Sequence, residues 1–313
     1  MRRGLNYNTT VAESPTRNLF LQVLFDIVSY NRGPENSLPR RDSLSIHTET
    51  VMKYALAFLS LLALTNSAAA EIITKVVEYK DGDTVLEGFV AWDSAAAGKA
   101  KPGVLVVHQW MGLSDYEQSR CKQLAELGYV AFALDIYGKG VRPSNPQDAG
   151  KQAGVYKKDR ELYRRRLNLG LAQLRAHEDV AKNQVAAIGY CFGGTGAIEL
   201  ARSGADIQGV VSFHGGLDSP TPADGKKIKA KLLICHGADD PFVPAADVAA
   251  FQAEVNEAKV DWQMINYSHA VHSFTQPMAG NDNSRGAAYN ELADKRSWNA
   301  MQDFFKELFS SAK

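Results

Sequence analysis

From residue 72 onward, short apolar runs alternate with stretches in which apolar residues recur at helical spacing. Residues 104–107 are a continuous apolar run, the pattern of a strand buried on both faces, and residues 129–136 read as another buried strand. Residues 185–189, 209–213, 231–235 and 260–267 also read as strands. Between them, residues 116–127, 159–177, 196–201, 245–258 and 290–309 read as helices, and Gly128 stands at the C-terminal cap of the first. Ahead of this alternation, residues 72–79 and 84–92 are β-rich and joined by Lys80-Asp81-Gly82-Asp83, which predicts an antiparallel hairpin. Residues 94–101 are a small-residue loop, and residues 137–146 a Gly/Pro-rich loop expected at the mouth of a site. The order predicts an α/β fold: a mostly parallel sheet with helices on both faces, an N-terminal hairpin, and a site at the C-terminal ends of the strands. There is no internal repeat and no second domain in the pattern.

One strand end stands out. The run 185–189 leads into Gly189-Tyr190-Cys191-Phe192-Gly193-Gly194-Thr195-Gly196, a Gly-x-Cys-x-Gly turn followed at once by a small-residue helix. This is the strand–nucleophile–helix elbow with Cys at the reactive position. The turn is so tight that side chains at Gly189 and Gly193 would meet neighbouring backbone. It places a thiol at a helix N-terminus, where the helix dipole favours a thiolate.

Other chemistry-bearing residues follow predicted strands. His108-Gln109-Trp110 follows the 104–107 strand, Asp239-Asp240-Pro241 the 231–235 strand, and His269 to Phe274 the 260–267 strand. The order Cys191, Asp240, His272 is that of nucleophile, acid and base in α/β-hydrolases. His272 would deprotonate the thiol, Asp240 would fix the imidazole, and the backbone N–H groups of Trp110 and Phe192 would form an oxyanion hole. A zinc site built from His108, His214, His236 and His272 with Asp239 or Asp240 is the competing arrangement. Their spacing matches no local ligand motif, so no metal is expected. Arg164, Arg165 and Arg166 read as a solvated helix face.

Composition narrows the picture. The chain has 313 residues, 45% hydrophobic, with equal counts of basic and acidic residues, which suits one soluble domain and offers no basic stripe for nucleic acid. The N-terminal part changes the reading further. Met52-Lys53, an apolar run from Tyr54 to Leu64 and Ala68-Ala69-Ala70 have the layout of a secretory signal peptide. The run is shorter than the roughly 20 residues that span a bilayer. A signal peptide starts a chain, so translation is expected to begin at Met52, with residues 1–51 disordered upstream sequence, residues 52–70 the signal, and residues 71–313 a single hydrolase domain. The protein is then exported, with a bacterial periplasm the expected compartment and no stable membrane span after cleavage. Residues 1–70 hold seven Lys or Arg and five Asp or Glu of 35 each, which leaves 28 against 30 in residues 71–313. The three cysteines, Cys121, Cys191 and Cys235, are an odd number and leave at least one thiol free.

With these motifs assembled, residues 75–310 resemble the dienelactone hydrolase family. The resemblance rests on Gly189 to Gly194, on Asp240-Pro241-Phe242-Val243-Pro244, on His272-Ser273-Phe274, on His108 to Leu113, and on Asp294-Lys295-Arg296-Ser297-Trp298. It implies an α/β-hydrolase fold, a Cys-His-Asp triad, and cleavage of a small-molecule ester or lactone without cofactor. Two positions depart from the family. Gln109 stands where members usually carry a Glu that partners the resting thiol and takes its proton. Gln276 stands where dienelactone-cleaving members carry an Arg that grips the substrate carboxylate. Gln109 cannot accept a proton, so either His272 activates Cys191 directly or the resting state differs, and Gln276 points away from dienelactone to a neutral or differently charged ester or lactone. Trp110, Tyr137 and Phe274 are the aromatic residues expected to line the pocket. Gln109 also prompts a rival reading, a ligand-binding protein that keeps the fold without turnover.

Native protein purified from its source is expected to begin at Glu71 on N-terminal sequencing. Any sequence from residues 1–51 in that protein would contradict the signal-peptide reading.

Overall fold

The computed structural model describes residues 71–310, apart from residues 97 and 99. The upstream segment and signal peptide read from the sequence lie outside the described residues. Strands β1 (Ile72–Asp81) and β2 (Thr84–Asp93) form the hairpin, and β3 (Lys101–Val107), β4 (Val130–Leu134), β5 (Val180–Tyr190), β6 (Gly209–Phe213), β7 (Lys231–Gly237) and β8 (Trp262–Tyr267) complete an eight-stranded sheet of order β1-β2-β4-β3-β5-β6-β7-β8. β2 pairs antiparallel with β1 and β4, and every pairing from β4 to β8 is parallel. This is the α/β-hydrolase fold with its leading hairpin, as the alternation of apolar runs predicts.

Side chains alternate across the sheet with the period of two that strands impose. On β3, Leu105 and Val107 join one core and Val104 and Val106 the other. The first core is closed by helices α3 (Arg160–Ala176), α4 (Phe192–Arg202) and α5 (Ala245–Glu257) through Leu167, Leu171, Ile198, Leu200 and Phe251. The second is closed by α1 (Asp115–Glu126) and α6 (Glu291–Ser310) through Leu124, Met301 and Phe305.

Three features differ from the sequence expectation. Helix α2 (Pro146–Lys158) fills a stretch the apolar periodicity left unassigned. Its glycines and polar residues blur the period, yet its start was marked. Asn145 accepts the Asp148 N–H as N-cap, and Pro146 takes the first helical position. Helix α4 begins at Phe192, directly after Cys191, so Gly193, Gly194 and Gly196 lie inside its first turns. The arginine cluster is solvated only at Arg165. Arg164 pairs with Glu199 and Asp224, and Arg166 is buried against Asp81, the Ile136 carbonyl and the Tyr156 hydroxyl.

The elbow explains its glycines. A Cβ on Gly189 would lie 1.8 Å from the Gly193 carbonyl oxygen, and one on Gly193 would lie 2.2 Å from the Val107 carbonyl oxygen. Backbone on both sides leaves no room to yield. Gly189→Ala is therefore expected to lower unfolding free energy by about 2 kcal/mol or more, read from the urea midpoint. A midpoint equal to the parent would show that the turn relaxes freely.

Candidate active site

Cys191 sits between the end of β5 and the start of α4 with φ 55° and ψ −118°, a left-handed conformation for a residue with a Cβ. The surrounding structure imposes it. The Cys191 N–H donates to the Phe213 carbonyl at 3.0 Å, and the amides of Gly194 and Thr195 donate to the Cys191 carbonyl at 2.9 and 3.3 Å. The half-buried sulfur opens into a cleft of about 690 Å³.

His272 lies on the loop after β8. This loop is pinned where the His272 N–H donates to the Gly286 carbonyl and the Ala288 N–H donates to the His272 carbonyl. Its Nε2 is 3.0 Å from the Cys191 Sγ, and its Nδ1 is 2.8 Å from the Asp240 Oδ2. Asp240, on the loop after β7, is buried, and its other oxygen accepts the Phe242 N–H at 2.9 Å. Residues at the ends of β5, β7 and β8 thus meet as one Cys-His-Asp chain.

The electrostatics follow from this contact. Burial pushes the Cys191 thiol up, but the His272 charge and hydrogen bond, the Phe192 N–H and Lys157 together outweigh it and hold the thiol below its ordinary value. Burial pulls the other way on His272, but the Cys191 and Asp240 charges and hydrogen bonds push it up to about 10. The opposed shifts of the two groups favour thiolate and imidazolium as the resting pair.

The remaining expected site residues fall into two groups. Gln109, Trp110, Phe192 and Gln276 line the cleft. The Phe192 N–H faces the sulfur, and the Trp110 carbonyl accepts the Tyr137 hydroxyl at 2.9 Å. Tyr137 and Phe274 do not line it. Tyr137 is buried one layer behind, packed on His108, Tyr156 and Phe192. Phe274 is fully buried against His214 and Tyr267. Both aromatic residues serve packing, because the loops carrying them turn inward before the cleft. At position 109 the buried carboxylate nearby belongs to Glu117. It accepts the Gln109 N–H at 3.2 Å and caps α1 through the Ser114 amide and hydroxyl, so it anchors the loop.

The histidines of the competing zinc arrangement do not converge on one point. His108 Nδ1 donates to the Gln109 carbonyl, and its Nε2 accepts the Ile136 N–H. His214 lies behind the triad, and His236 lines a separate hollow beside Asp240. Among the described residues, no three His, Cys, Asp or Glu side chains form a group able to hold a metal ion.

The sequence reading missed several cleft residues. Helix α2 supplies Gly150, Ala153, Gly154 and Lys157, and the loop before α6 supplies Arg285. Exposed Phe242 stands edge-on to the His272 ring at 5.4 Å, and Met278 is also exposed at the rim. Phe242 was legible as part of the Asp240-Pro241-Phe242 turn, whereas Lys157 became visible only once α2 was in place.

Comparison with known proteins agrees with this geometry. The model of the dienelactone hydrolase family matches residues 86–309. The solved structure m3DLH is 38% identical, with a TM-score of 0.73 over 76% of this chain and 98% of its own. A dienelactone hydrolase-like promiscuous phosphotriesterase from metagenomic libraries is 39% identical, with a TM-score of 0.72 over the same 76% and 98%. The protein usf of Aquifex pyrophilus is 28% identical over 247 residues, which is 75% of this chain and 99% of that protein.

The three thiols should react very differently. Burial pushes Cys235 up to about 12 and Cys121 still higher, and both are fully enclosed. Iodoacetamide is expected to modify Cys191 first, with a half-maximal rate at a pH below the ordinary thiol value of 9.0. The rate should fall in acid, as the thiolate takes up its proton. Equal, slow labelling of all three, followed by peptide mass spectrometry, would contradict the ion pair.

Proposed function

The chain belongs to the dienelactone hydrolase family, and we propose that it cleaves ester or lactone bonds through a thioester formed on Cys191. The observation that carries this reading is the 3.0 Å contact of His272 Nε2 with the Cys191 Sγ, with Asp240 2.8 Å from the other ring nitrogen.

The thiolate attacks the carbonyl carbon, and the carbonyl electrons move to oxygen. The N–H groups of Phe192, the first residue of α4, and of Trp110 receive that oxyanion. As the tetrahedral intermediate collapses, His272 gives its Nε2 proton to the departing alkoxide, and the alcohol leaves. The thiolate charge is now consumed in the thioester. That charge is the largest influence raising His272, so its loss lets the imidazole stay neutral, in the form that can accept a proton. It takes a proton from water, hydroxide attacks the thioester, and the acid leaves as the thiolate–imidazolium pair returns. Asp240 holds the ring orientation through both halves. No carboxylate at position 109 is required, because the resting proton already resides on His272.

Substrate choice follows from the wall of the cleft. Gln276 places an amide where a guanidinium would grip a carboxylate, and its side-chain oxygen accepts the Met278 N–H. Lys157 and Arg285 bring positive charge to the same cleft from other elements. The reading is an ester or lactone seated against apolar Trp110, Met111 and Phe242, with any acidic group directed to these two cations. Export to a periplasm belongs to the same proposal and is supported by the composition of residues 52–70. The rival, a binding protein without turnover, loses its motive because His272 itself reaches the thiol.

Hydrolysis of a small aryl ester by the full chain, beside Cys191→Ala, tests this function. The variant is expected to lose about 10³-fold or more of kcat/KM. Equal rates in the two proteins, or no turnover in either, would overturn the proposal, and a lactone and a neutral aryl phosphotriester complete the panel.

A further inference from the structure

Among the described residues, five non-glycine residues have left-handed backbone, and three of them belong to the triad or lie beside it: Cys191 at φ 55°, Ser273, next to His272, at φ 59°, and His214 at φ 41°. Each such conformation is strained for a residue with a Cβ and persists only where the surroundings hold it. His214 is fully buried, directly after the end of β6. Its ring stands edge-on to the His272 ring, with centroids 5.3 Å apart.

His214 touches both working parts of the triad. Its Nδ1 accepts the Cys191 N–H at 3.1 Å, sharing that donor with the Phe213 carbonyl. Its Nε2 is 2.8 Å from the Thr275 Oγ1, three residues beyond His272 on the same loop. An Nδ1 that accepts from an amide carries no proton, so the neutral ring has its proton on Nε2 and donates it to Thr275. Thr275 is secured from its far side. The Tyr116 hydroxyl lies 2.8 Å from its Oγ1, and Arg120 donates to its carbonyl at 3.3 Å while pairing with Asp294 at 2.6 Å. The elbow is thereby tied through one imidazole to a loop anchored on α1 and α6.

We propose that His214 is a positioning residue: it links the nucleophile turn to the histidine loop and so sets the separation of the Cys191 Sγ and the His272 Nε2. The proposal rests on the reading of Cys191 as nucleophile. Cys191 and His272 are carried by β5 and by the loop after β8, with β6 and β7 between the two strands. Apart from the sulfur–nitrogen contact itself, no direct hydrogen bond joins residues 189–194 to residues 272–275 among the described residues. His214 supplies the missing tie from the intervening strand. Neutrality is a condition of this role, since protonation would remove the Nδ1 acceptor. Burial, followed by the charges of His272 and Arg120, which face the ring, keeps His214 well below the ordinary histidine value. Tyr190, whose ring is 6.2 Å away, is the other titratable neighbour.

The test uses the full chain with His214→Asn, which keeps an acceptor near the Nδ1 place, and His214→Gln, which keeps a donor near the Nε2 place. Thr275→Val removes the loop side of the link and leaves His214 intact. In each variant the pH midpoint of Cys191 alkylation is read beside aryl-ester turnover. A role in positioning predicts that all three midpoints rise toward the ordinary thiol value and that kcat/KM falls at least about tenfold in the His214 variants. Midpoint and turnover both unchanged in folded variants would overturn the proposal. Should the His214 variants fail to fold, an unchanged midpoint in Thr275→Val overturns it alone. Retained turnover in Cys191→Ala would instead remove the nucleophile reading beneath it, so the two failures are distinguishable.

Discussion

A thiolate buried in protein is unfavourable unless a positive charge stands beside it. Here that charge is His272, 3.0 Å from the sulfur, and the same contact accounts for the lowered Cys191 and the raised His272. The pair depends on three strand ends. The elbow after β5 turns the sulfur outward, the β7 loop brings Asp240 to Nδ1, and the β8 loop, fastened to residues 286–288, holds the ring. Parallel strands all end on the same edge of the sheet, so the fold itself gathers these residues although they are far apart in sequence.

Strain is localised where the chemistry is. Cys191 occupies a left-handed conformation because the chain must pass from strand to helix in one residue, and the close approaches at Gly189 and Gly193 show how little room that passage leaves. The surroundings that hold it include the packing of α4 on β5, β6 and β3 and a buried ionic cluster of Arg202 and Glu199, in the last turn of α4, with Glu254 of α5. Removing one member of such a cluster leaves an uncompensated buried charge, so it fastens the C-terminal end of α4 to α5.

Much of this was legible in the sequence because it is written in local patterns. Continuous apolar runs specify strands buried on both faces. The Gly-x-Cys-x-Gly turn specifies the elbow, and the order of Cys191, Asp240 and His272, each after a strand, specifies the hydrolase arrangement. What escaped depends on contacts between distant segments. Helix α2 lacks a strong apolar period and is defined by Asn145 and Pro146 at its start. Tyr137 and Phe274 are near the site in sequence, but their side chains turn into the core. Arg164 and Arg166 look like surface charge until Glu199 and Asp81 are seen across from them. His214 carries no motif at all, and its place is fixed by the Cys191 amide and Thr275. At position 109 the sequence posed a question that geometry answers, since the proton acceptor for the thiol is already in contact with it.

The central claim is that Cys191 carries the acyl group during turnover. Rapid acid quench of the full chain with an aryl acetate, followed by mass spectrometry of its peptides, addresses this most directly, because acyl-enzyme accumulates when deacylation is the slower half-reaction. The account predicts an acetyl mass on the peptide containing Cys191 within the first turnover, lost again as product forms. Release of the aryl alcohol with Cys191 unmodified throughout, or with the acetyl group on another residue, would contradict it.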